Sequence, residues 1–87
     1  MFRDRNSQPT FTSSYKVLIN RHLSDKAKLV YFVIQDQQDN LNYADITAKE
    51  IGLLLHCTDR AVRNAVAELK EANLIEVEKV GRYKIIK

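Results

Sequence analysis

The sequence predicts a mainly α (α+β) chain in which three helices are closed by a C-terminal β-hairpin. Three observations carry that expectation. Leu29 to Ile34 form a six-residue apolar run shortly after Ser24-Asp25, a good helix start. Two further helix starts, at Thr47 and Thr58, follow in close succession. Past Asn73 the apolar residues alternate, with Ile75, Val77, Tyr83 and Ile85 distributed around Gly81.

Taken in order, residues 1–22 read as an N-terminal arm or extension and residues 23–87 as the folded domain. Asn6, Ser7, Gln8, Thr10, Thr12, Ser13 and Ser14 offer little to bury, and Pro9 interrupts any regular element. The apolar patch Tyr15 to Ile19 has no decisive periodicity. A helix capped by Ser24 then runs to about Gln37, and its apolar run covers nearly the whole circumference, which places it in the core or against a partner. Asp39, Asn40 and Asn42 form a loop.

Thr47-Ala48-Lys49-Glu50 is a capping box, in which Thr47 and Glu50 satisfy each other's backbone donors. The helix it opens ends near Leu55. His56 and Cys57 make a tight connection, and Thr58 caps a helix from Asp59 to about Ala72. Val62, Ala65, Val66 and Leu69 recur at helical spacing and mark its buried stripe. Asn73 follows at the helix end, where a left-handed residue is usual. For the hairpin, a loop of Lys79-Val80-Gly81 puts Val77 opposite Tyr83 and Ile75 opposite Ile85, all facing the core. Glu78 then meets Arg82 and Glu76 meets Lys84 on the other side.

Composition narrows the function. The 87 residues are 45% hydrophobic and 29% charged, a globular balance. The longest apolar run is far short of the roughly 20 residues a membrane span needs. Arg3 and Arg5 are followed by polar residues, so no secretory signal is expected, and a lone cysteine, Cys57, suits the cytoplasm. The net charge of +3 permits a nucleic-acid partner without demanding one. His22, His56 and Cys57 lack the paired spacing of a metal site, and neither a glycine-rich phosphate loop nor a nucleophile motif is present. The expectation is therefore a non-enzyme with neither metal nor cofactor.

From about Leu23 to Lys87 the chain resembles the winged helix-turn-helix superfamily. The residues that carry the likeness are Leu23-Ser24-Asp25-Lys26-Ala27-Lys28-Leu29-Val30-Tyr31, then Ile46-Thr47-Ala48-Lys49-Glu50-Ile51-Gly52. The remainder are Thr58 to Leu69 and Asn73-Leu74-Ile75. The closest likeness is to winged helices of plasmid and phage replication initiators and of small transcriptional regulators. The resemblance implies a three-helix core, a recognition helix over 59–72 and a wing over 74–87. The family usually has glycine where His56 and Asn73 stand, and both replacements tolerate left-handed backbone better than most residues.

Within that frame the outer face of the recognition helix carries Asp59, Arg60, Arg63, Asn64 and Ala67. Arginine can bind guanine and asparagine adenine in the major groove, and alanine allows close approach. Thr47, Lys49 and Thr58 lie at helix N-termini, where hydroxyls and free backbone donors suit phosphate. Lys79 and Arg82 flank the wing tip. The expected partner is double-stranded DNA, bound sequence-specifically by a small transcriptional regulator. The alternatives are a plasmid or phage replication or partition protein and a protein-interaction module that binds no DNA. A homodimer is the expected assembly, with the Tyr15–Ile19 patch, Leu29, Tyr31, Phe32, Val33 and one of Leu53 or Leu54 as candidate interface residues.

Overall fold

Each main helix begins where a side-chain oxygen takes over an unpaired backbone donor. In the computed structural model, described over residues 12–86 with side chains from Lys16, Ser24 accepts from Ala27 N at the start of α2 (Asp25–Gln37). Thr47 and Glu50 form a complete capping box on α3 (Ala48–Leu55), and Thr58 accepts from Ala61 N on α4 (Asp59–Glu71). Such caps are worth about 1 kcal/mol each. Left-handed residues follow α3 and α4, His56 with φ 56° and Asn73 with φ 60°, and a third, Asn42 with φ 71°, lies in the loop before the first strand.

The described residues form an α+β fold of four helices and one three-stranded antiparallel sheet. Ahead of α2 lies α1 (Thr12–Ile19), which packs on it. Thr12, Ser13 and Ser14 are thus helical rather than part of an arm, and Val17, wholly buried, joins the core ahead of Leu23. Arg3, Arg5 and Pro9 lie outside the described residues.

Between α2 and α3 runs β1 (Tyr43–Asp45), a strand of three residues in a stretch to which the sequence assigned no element. Asp39 prepares it. One carboxylate oxygen accepts from Leu41 N at 2.8 Å and Tyr43 N at 3.0 Å, which turns the chain back on itself. Those amide donors, Tyr43's first, hold the Asp39 carboxyl below the usual carboxylate range.

The sheet order is β1-β3-β2, with β2 (Ile75–Lys79) at one edge and β3 (Arg82–Ile85) in the centre. Ile75 faces Ile85, Glu76 faces Lys84 and Val77 faces Tyr83, as the hydrophobic pattern required. The expected Glu78–Arg82 pairing fails. A register shift between Val77 and Lys79 leaves Glu78 as the extra residue of a bulge, so Lys79 stands opposite Arg82 and the turn is Val80-Gly81. The bulge absorbs the residue that would otherwise have thrown Val77 to the wrong face. Val77 nevertheless remains 39% exposed, against the expectation that it lies in the core. It stands on an edge strand directly before the bulge, where the strand turns away from the helices.

The core lies between the helices and the inner face of this sheet. Val30, Tyr31 and Ile34 of α2, Ile51 of α3, Val62 and Leu69 of α4, and Ile75 and Ile85 are all essentially solvent-free. Tyr31 carries its hydroxyl into this layer without a hydrogen-bond partner, and burial pushes its pKa up.

Candidate functional site

Two close approaches decide which residues face outward together. At the α3–α4 corner, Cys57 N donates to Gly52 O at 2.9 Å. A Cβ on Gly52 would lie 2.6 Å from Cys57 O, so only glycine permits this corner without a backbone shift. At the hairpin, Ile46 N donates to Gly81 O at 2.9 Å, which fastens the Val80-Gly81 turn to the residues just before α3. Gly81 has φ +82°, a conformation that disfavours side chains. The start of α3 and the hairpin turn therefore lie side by side.

Helix α4 is anchored by its inner face, where Val62, Ala65, Val66 and Leu69 are buried. A second anchor went unforeseen. Glu68 accepts from Ser24 N at 2.9 Å and from Ser24 Oγ at 2.7 Å, which places a carboxylate at the positive end of α2 and sets α4 against it. The opposite face presents Asp59, Arg60, Arg63, Asn64 and Ala67, all exposed. Arg63 Nη2 donates to Asp59 Oδ2 at 3.0 Å, one turn away, with the two side chains 69% and 47% exposed. Such a pair is worth only about 0.3–0.5 kcal/mol, so Arg63 is easily released. Arg63 also reaches electrostatically to the sheet. Burial raises the pKa of Tyr83, and the positive charge of Arg63 partly opposes the rise.

Thr47, Lys49 and Thr58 are exposed at the starts of α3 and α4. The hydroxyl oxygens of both threonines already accept their capping bonds. Lys79 is exposed beside the hairpin turn.

Arg82 is placed differently from the expectation. It does not meet Glu78; its Nη1 donates to both carboxylate oxygens of Asp45, at 2.8 and 2.7 Å. Asp45 and Arg82 are register partners across β1 and β3. The guanidinium also lies over the Tyr43 ring, 4.3 Å from its centroid, and Lys84 approaches the same ring at 5.5 Å. The Asp45 hydrogen bond raises the arginine's pKa further. Asp45 and Tyr43 are thus members of the site that sequence reasoning missed, because a three-residue strand leaves almost no periodic signal.

The described residues hold no group of three or more His, Cys, Asp or Glu side chains arranged for a metal ion. None of their helices is long and apolar enough to cross a membrane. His22 and His56 are exposed and Cys57 is half-buried against the core. In comparisons with known protein families, curated proteins and solved structures, the chain matches none.

Proposed function

We propose that the chain is a winged helix-turn-helix protein that reads double-stranded DNA, with α4 in the major groove and the β2–β3 hairpin as its wing. The role we assign it is that of a small transcriptional regulator. The observation that carries this reading is the exposed strip Arg60, Arg63, Asn64 and Ala67 on a helix whose other face is buried. It offers two base-reading residue types and one small residue, on a rigid element held by a tight corner. Arg63 is tied to Asp59 by no more than a weak exposed pair, and so is free to exchange it for a base edge. Lys49, Thr47 and Thr58 lie at helix starts, in reach of a phosphate backbone in such a docking.

One such helix reads only a few base pairs, which favours a homodimer on a two-fold site. Of the interface candidates, Tyr31 and Val17 are wholly buried and cannot serve. Leu18, Ile19 and Leu29 are about half exposed and are the favoured interface residues, being far in sequence from the DNA-reading elements; Leu53 and Leu54, more exposed still, are the alternative.

Selection of bound sites from random duplex DNA tests the reading. The expected result is a defined motif in two half-sites about one helical turn apart. Binding without any preferred sequence would overturn base reading, and no salt-dependent binding at all would favour a protein-interaction module instead. Repeated, directly oriented sites would point to a replication protein. Light scattering of the free protein decides the dimer.

A further inference from the structure

Resting on that reading, we infer that Asp45 sets the strength of the hairpin's grip on duplex DNA by occupying Arg82 in the free protein. The two groups stand opposite each other in the sheet, and a single guanidinium nitrogen serves both carboxylate oxygens at 2.7–2.8 Å. The Arg82 side chain is 29% exposed and that of Asp45 66% exposed, so the carboxylate is the more open partner. Tyr43 backs the guanidinium from one side.

The pair lies where a phosphate would arrive. Gly81, next to Arg82, is bonded to Ile46, next to Asp45, directly before the α3 helix that carries Thr47 and Lys49. Around the hairpin the acidic groups Asp39, Asp45, Glu76 and Glu78 outnumber Lys79, Arg82 and Lys84, and the Asp39 charge also acts on Arg82. A surface without net positive charge gives a polyanion little reason to stay, and a phosphate that takes Arg82 Nη1 must displace Asp45. An ion pair this open is weak, within reach of a phosphate backbone. The carboxylate thus acts as a competitor that lowers affinity without preventing contact. Asp45 is a positioning residue here, acting on DNA through Arg82.

The test is a cycle of four proteins, namely wild type, Asp45→Asn, Arg82→Gln and the double variant, titrated with a random-sequence duplex over a range of salt. Thermal melts establish that each is folded. Asp45→Asn should bind about twofold to fivefold tighter. Its salt slope should change by less than the roughly 0.9 of a whole phosphate contact, because the contact forms in both proteins. In the Arg82→Gln background most of that gain should vanish. An equal gain in both backgrounds would mean that Asp45 only repels DNA at large, and no gain would mean that the pair never competes; either overturns the inference alone. Absence of duplex binding by wild type and all variants at low salt overturns the DNA reading, and this inference with it.

Discussion

The α3–α4 corner and the β2–β3 hairpin are both tight reversals, and each presents an arginine and depends on a glycine, yet the physics differs at every point. Gly52 is needed because the carbonyl of Cys57 occupies the space of a side chain. Gly81 has room beside it, with the Thr47 methyl at 3.4 Å from a notional Cβ, and is needed for its positive φ. Arg63 of the helix is tied to a neighbour one turn away and stands largely in solvent. Arg82 of the hairpin is tied to a strand 37 residues distant and is stacked on an aromatic ring. Two residues of one type thereby differ in availability: the first is held by its own helix, the second by the tertiary fold.

The largest expected effect comes from breaking the corner. Gly52→Ala forces a Cβ against backbone, an overpacking cost of about 3 kcal/mol, which about 1 kcal/mol of better helix propensity only partly offsets. Denaturant unfolding should show a net loss of about 2 kcal/mol, and an unchanged midpoint would mean that the corner opens easily. Next, Arg63→Ala should weaken binding to a selected site by about 1–2 kcal/mol and relax preference at one base pair. Lys79→Ala on the hairpin should instead weaken all duplexes alike and lower the salt slope by about 0.9. Identical, sequence-blind losses from the two would erase the proposed difference between helix and hairpin.

A smaller effect is expected from Gly81→Ala, where only the backbone conformation is strained, at about 1 kcal/mol. If this substitution proved as damaging as Gly52→Ala, the hairpin turn would be as crowded as the corner. The smallest is a pH effect confined to the sheet side. Asp39 has its pKa lowered by the Tyr43 and Leu41 amides, so the folded chain takes up that proton less readily than the unfolded one. Its contribution is complete above the ordinary carboxylate range and is lost as pH falls through the lowered pKa. Amide exchange at Leu41 and Tyr43 should then quicken relative to α4, and Asp39→Asn should remove that pH dependence.

What the sequence determined by itself was whatever depends on near neighbours. The Ser24, Thr47 and Thr58 caps, the left-handed Asn73 and the buried stripe of α4 all stand where residue type and spacing put them. A cap or a left-handed turn is decided within a few residues, so its signal is local. The pairing of Ile75 with Ile85 and of Val77 with Tyr83 was also legible, because a slip by one would have turned the apolar face outward. The exposed strip of α4 followed directly from its buried one.

The tertiary structure alone decided the rest. Thr12–Ile19 is helical and packs on α2, although its polar start gave no periodic signal. Tyr43–Asp45 is a strand only because β3 offers it an edge, and three residues are too few to announce the fact. Glu68 finds Ser24 44 residues away, and Arg82 finds Asp45 rather than the adjacent Glu78 once the bulge has moved Glu78 out of register. Carboxylates of equal charge compete for an arginine, and the winner is the one that backbone pairing brings within hydrogen-bond distance. That choice belongs to strand order and register, which emerge only when the whole sheet has formed.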